Sequence, residues 1–141
     1  MPERVGYLLK RAQHALRTTL DDALGRLGLT TAQYAALAAL GDGPLSGAAL
    51  ARRCFVTPQA MNEVLVGLER RGLVERRPHA SHGRVLEARL SPAGRAALAP
   101  AHRAVLAVEK RMVEGLDEAE RRRLVSALRR CVAGLEGRDA R

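Results

Sequence analysis

Three sets of side chains in this sequence have the types and spacing to do chemistry. Gln59, Asn62 and Glu63 lie within the segment TPQAMNEVLVGLERRG, residues 57–72, on adjacent turns of what reads as a helix. Amide and carboxyl groups so placed can match the donor and acceptor pattern of base edges, although a merely solvated helix face remains open on these residues alone. Around them stand arginines: Arg52 and Arg53 before the segment, Arg70 and Arg71 at its end, then Arg76, Arg77, Arg84 and Arg89. Guanidinium groups pair with phosphate oxygens, so this second set suits grip on an anionic backbone. The third set is cysteine and histidine. Cys54 precedes the segment, where Arg52, Arg53 and nearby amides would favour a thiolate open to oxidation. It also lies one helical turn after Leu50 on the inward side, the place of a small structural hydrophobe. Cys131 falls on an apolar seam and reads as structural. His79-x-x-His82 has a metal-ligand spacing but no Cys or carboxylate close by in sequence, so solvated or phosphate-contacting histidines are the better reading. His14 and His102 lie on outer helices, and nothing in their spacing brings them together. Ser46 and Ser91 read as helix caps, no Gly-rich phosphate cradle is present, and the acidic residues fall at salt-bridge spacing. The pattern points away from an enzyme and calls for no metal and no cofactor.

The elements that must position these groups follow from periodicity and punctuation. In residues 57–72, Thr57 suits an N-cap and joins the phosphate-contacting set, Pro58 suits the first helical position, and Gly72 suits a left-handed exit. Met61, Val64, Leu65 and Leu68 form one apolar stripe between them, opposite Gln59, Asn62, Glu63 and Val66. Upstream, residues 5–27 keep helical apolar spacing, Gly28 stops them, and Thr30 or Thr31 caps a second helix to Gly41. After a loop at 41–44, Ser46 caps a short third helix to about Cys54. Two helices joined by Cys54-Phe55-Val56 have helix-turn-helix spacing. Beyond Gly72 the period falls to two, giving strands at 73–77 and 85–90 around a turn at 78–83. Ser91-Pro92 opens a helix to about Glu114, and Asp117-x-x-Glu120 opens a last one with a seam of Leu124, Val125, Leu128, Cys131, Val132 and Leu135. The fold class is mostly α with a small β-hairpin wing (α+β). Residues 1–29 form an N-terminal arm, 30–90 a winged helix-turn-helix, and 91–141 C-terminal helices.

Composition narrows the partner. The 141 residues suit one domain, and two cysteines are too few for a disulfide framework, which fits a reducing compartment. The opening residues do not resemble a signal peptide, and the longest uncharged stretch, 27–41, is too short for a bilayer. A cytoplasmic protein without membrane contact is expected. A net charge of +9 and a pI near 11.1 favour an anionic partner, although the excess is spread along the chain rather than focused. Tyr7, Tyr34 and Phe55 are the only aromatic residues. Modules for single strands and RNA stack bases on rings, so double-stranded DNA is the better expectation. The outer helices carry more apolar surface than a small winged core covers, which points to a homodimer. Such a dimer would present two recognition helices about 34 Å apart to a roughly palindromic site.

The ordered set Leu29-Thr30-x-x-Gln33-Tyr34-x-x-Leu37, Leu45-Ser46-x-x-x-Leu50-Ala51, Leu68-Glu69-x-x-Gly72-Leu73-Val74-x-Arg76, Arg84 and Leu90-Ser91-x-x-Gly94 resembles the MarR family of bacterial transcriptional regulators. The resemblance covers residues 29–94, and the flanking helices fit that family's dimerisation arms. It implies a homodimeric winged-helix protein on operator DNA, usually a repressor, released by a small molecule or an oxidant. On the same grounds it implies an apolar cavity for an apolar or aromatic effector, with Arg84 as the minor-groove arginine of the wing. Two departures stand out. Glu63 takes the place where the family commonly has an Arg, and His82-Gly83-Arg84 replaces an acidic-Arg-Arg wing tip. With no Lys or Arg between Arg53 and Arg70, grip is left to Arg52, Arg53, Thr57, Arg70, Arg71, Arg76 and Arg77, and reading to Gln59, Asn62 and Glu63. Two other readings keep the fold: a protein-interaction module that does not bind DNA, and a thiol-redox regulator acting through Cys54.

Overall fold

A computed structural model describes residues 3–81 and 83–137. The elements are α1 (Val5–Gly25), α2 (Thr31–Leu40), β1 (Leu45–Ser46), α3 (Gly47–Arg53), α4 (Pro58–Arg70), β2 (Val74–Pro78), β3 (Leu86–Leu90), α5 (Pro92–Met112) and α6 (Glu118–Glu136). They group into two compact units, one ending at Val108 and the other beginning at Glu109.

In the first unit the helix starts are those the caps specify. The Thr30 hydroxyl oxygen accepts from Gln33 N at 3.0 Å while the Gln33 side chain accepts from Thr30 N, a reciprocal capping box. Ser46 caps α3 by accepting from Ala49 N at 3.1 Å. Thr57 caps α4 in the same way, from Ala60 N at 3.1 Å. The stripe on α4 is inward as its spacing requires: Met61, Leu65 and Leu68 are fully buried and Val64 partly so. They meet Leu37 and Leu40 of α2, Leu50 of α3, Leu24 of α1, and Leu73, Val74, Ala88 and Leu90 beneath the wing in one core, to which Ala101 and Val105 of α5 add. At about 25 cal/mol per Å² of apolar surface, these side chains are the main term holding α4 in place.

Two features differ from the sequence expectation. Helix α1 stops at Gly25 rather than 27, because a turn at 26–28 takes over the last carbonyls: Leu27 N and Leu29 N both donate to Leu24 O, and Gly28 adopts φ 75. The expected hairpin of β2 and β3 forms, and a third strand that the sequence did not reveal joins it. Leu45 and Ser46 pair antiparallel with Ala88 and Glu87, giving a three-stranded sheet in the order β1-β3-β2. A two-residue strand carries no period to read.

A tight joint links α4, β2 and α5. The Ser91 hydroxyl donates to Gly72 O at 2.5 Å and accepts from Gly94 N at 3.0 Å, while Ser91 N donates to Leu73 O at 3.1 Å. A Cβ on Gly94 would lie 2.0 Å from Leu73 O, so no other residue fits there. This geometry explains the spacing Ser91-x-x-Gly94.

In the second unit Asp117 caps α6 and forms a capping box with Glu120, and Arg121 Nε donates to Val113 O at 3.2 Å. No residue of α6 is buried, and Val125, Val132 and Leu135 of its apolar seam are exposed. Among the described residues no helix is long and apolar enough to cross a membrane.

Candidate nucleic-acid interface

The turn joining α3 to α4 is built from three residues of different character. Cys54 ends α3, and Phe55 and Val56 close the turn by donating to Arg52 O at 3.3 Å and Ala51 O at 3.0 Å. Phe55 is at φ 58, in the left-handed region, with its side chain 93% exposed. Sequence reasoning placed Phe55 in the turn and counted it among the aromatics but did not give its conformation, which a bulky residue seldom takes.

Past the turn, α4 presents Gln59, Asn62 and Glu63 on its exposed side. Gln59 and Glu63 make no side-chain hydrogen bond or ion pair among the described residues. Asn62 does: its Oδ1 accepts from Arg76 Nη1 at 2.9 Å.

The arginines divide. Arg52, Arg70 and Arg84 are exposed, with no partner for the guanidinium among the described residues. Arg53 approaches Asp42 only at 4.0 Å, a surface pair of little energetic weight. Three others have internal partners. Arg71 Nη1 donates to Gly28 O at 2.7 Å and to Gln33 Oε1 at 3.5 Å, fastening the end of α4 to the α1–α2 connection. Arg76 Nε donates to Glu69 Oε1 at 2.7 Å, and Arg77 pairs with Glu75 at 2.9 Å. Arg89 stands opposite Glu75 across β2 and β3. Thr57 already uses its hydroxyl oxygen as the α4 cap, leaving its proton for a further acceptor.

The cysteines and histidines also find places. Cys54 packs against the core, and burial pushes its thiol above the usual value, with Arg53 pulling the other way more weakly. Of the two readings of Cys54, the thiolate is therefore disfavoured and the structural one favoured: loss of hydration outweighs the nearby guanidinium. Cys131 is exposed on α6 rather than enclosed. His79 Nδ1 accepts from Ser81 N at 2.9 Å and its Nε2 lies 3.7 Å from Glu87; His82 lies outside the described residues. Among the described residues no group of three or more His, Cys, Asp or Glu side chains could hold a metal.

A second feature of the first unit was not legible from spacing. Tyr34 Oη lies 3.0 Å from His102 Nδ1, joining α2 to α5 across 68 positions of sequence. Beside this pair opens a cleft of about 540 Å³, with Ala38, Leu90, Leu98 and Ala99 as its apolar lining and Arg95, His102 and Arg103 as its polar one.

Comparison with known proteins agrees with this architecture. The sequence model of the MarR family matches residues 27–85, the span from the end of α1 to the wing. The chain is 48% identical over 93 residues to the HTH-type transcriptional repressor Rv2887 of Mycobacterium tuberculosis, a match covering 65% of this chain and 67% of that protein. Among solved structures it is similar to the Mycobacterium tuberculosis MarR family protein Rv2887 in complex with salicylic acid, with 40% identity, 91% and 96% of the two chains covered, and a TM-score of 0.74. The structure of Rv2887 in complex with DNA is similar too, at 37% identity, 91% and 97% coverage, and a TM-score of 0.75. With the winged helix-turn-helix architecture, the family match over residues 27–85 and 40% identity to a MarR family protein over nearly the whole chain, the protein belongs to the MarR family of DNA-binding transcriptional regulators.

Proposed function

We propose that the chain is a homodimeric repressor that reads a pseudo-palindromic operator through α4 and releases it when a small aromatic acid binds. The observation that carries the reading is the outer face of α4. Gln59, Asn62 and Glu63 stand exposed on a helix whose opposite side is locked into the core by Met61, Leu65 and Leu68. A helix held this rigidly, with neutral and acidic readers and no basic residue at its centre, discriminates bases, while Arg52, Arg53 and Arg70 near its ends and Arg84 on the wing supply attraction to the backbone. Arg71, Arg76 and Arg77 serve the fold first, so fewer phosphate contacts are expected of them.

The effector class rests on the α2–α5 cleft. Two guanidinium groups and an imidazole beside an apolar lining suit a ring bearing a carboxylate. The relative Rv2887 has been solved with salicylic acid, which supports the same class here. Release by oxidation of Cys54 has less support, since burial disfavours its thiolate.

The test is a binding titration of the chain on its own upstream DNA and on a random duplex, repeated for Gln59→Ala and with salicylate added. A loss of about 1 to 3 kcal/mol for Gln59→Ala on the upstream DNA and little loss on the random duplex supports the reading, as does weakening by salicylate. No salt-dependent binding to either duplex would instead favour a protein-interaction module.

A further inference from the structure

Arg76 comes from the wing strand β2, where it pairs with Ala88, yet its guanidinium is spent on α4. Its side chain is 20% exposed and is gripped at two points, by Glu69 Oε1 at 2.7 Å on Nε and by Asn62 Oδ1 at 2.9 Å on Nη1. A guanidinium has only donors, so the amide atom facing it must be the oxygen, and the NH₂ group of Asn62 turns away from it. Among the described residues that NH₂ group has no protein partner, and Asn62 is exposed.

We propose that the Glu69–Arg76–Asn62 relay presets Asn62 to read through its amide donors, so that α4 selects guanine over adenine at the base pair Asn62 meets. This inference rests on the DNA-reading function proposed above and assigns its specificity at one position. An unconstrained asparagine pairs with adenine through both amide atoms, its oxygen accepting from N6 and its nitrogen donating to N7. Here one of the oxygen's two lone pairs is held by a charge-assisted bond, which is stronger than a neutral one and fixes the amide with its oxygen turned to Arg76, so the free NH₂ group leads at the base edge. The two remaining donors meet two acceptors on guanine, O6 and N7. On adenine they meet one acceptor and one opposing donor. Arg76 acts as a positioning residue, and its fork geometry is what lets one side chain hold Glu69 and Asn62 together.

The experiment compares wild type, Arg76→Met and Asn62→Asp on a duplex recovered by selection from a random pool, on versions with each purine exchanged, and on versions carrying 7-deazaguanine. Circular dichroism melting of each variant checks folding. The expected result is a single guanine per half-site at which exchange to adenine or loss of N7 costs wild type about tenfold. Arg76→Met should keep binding but lose that preference and accept adenine, since the amide can then turn. Asn62→Asp, an exposed and isosteric change, should lose sensitivity to N7 at that position and shift towards cytosine, whose amine donates. If wild type is selective but both variants keep its base profile, the relay has no reading role, whatever their affinity does. If wild type enriches no sequence at all, the DNA-reading proposal itself falls and this one with it.

Discussion

Phe55 holds a left-handed backbone conformation that costs stability, and its exposed ring contributes no burial to offset it. Glycine takes φ 58 without steric penalty, and its own entropic cost is smaller than the relief. Phe55→Gly is therefore expected to stabilise the fold by about 1 kcal/mol, seen as a raised midpoint in thermal melting. A lowered midpoint would mean that the ring has a folded-state partner. Cys54 gives a second check at this scale. A thiol pushed upward is less ionised at neutral pH, so Cys54 should react with iodoacetamide more slowly than exposed Cys131 and gain rate as pH rises. Faster labelling of Cys54, read by mass spectrometry of each peptide, would restore the redox reading. The exposure of Gln59, Asn62 and Glu63 was legible in sequence because caps and an apolar stripe fix which side of α4 faces out. The internal partners of Arg71 and Arg76 were not, because a carbonyl 43 residues away at Gly28 and an amide 14 residues back at Asn62 become neighbours only through the fold.

At the level of elements, the winged unit is held by caps at helix starts and by the Ser91 joint beneath the wing. Ser46, Thr57, and Asp117 with Glu120 could be read from sequence, and Thr30 as one of two candidates with Thr31, since each cap acts on an amide three residues away. Strand β1 could not, since its pairing with β3 joins residues more than forty apart and its two residues have no pattern of their own. Gly94 lay between these cases. Its spacing from Ser91 was visible, but the reason is a backbone contact with Leu73 O that only the fold reveals. Gly94→Ala must push α5 away from the base of β2, and the expected loss is at least about 2 kcal/mol in urea unfolding. A change below about 0.5 kcal/mol would show that the joint is slack.

For the whole molecule, the composition pointed to an anionic partner and the order of elements to a winged helix, but neither gave the arrangement of two copies. Large apolar side chains stay exposed on α1, at Val5, Tyr7, Leu8 and Leu9, and on α6, at Leu124, Val125, Leu128 and Val132. Large apolar side chains left exposed on each of these helices are what a homodimer would cover, and two-fold symmetry would then set the form of the operator. Selection of bound duplexes from a random pool, followed by sedimentation of the complex on the recovered site, tests the central claim directly. The account predicts an inverted repeat with half-site centres about one helical turn apart, 10 to 10.5 base pairs, bound by two chains. Recovery of no preferred sequence, or of a single half-site bound by one chain, would contradict it.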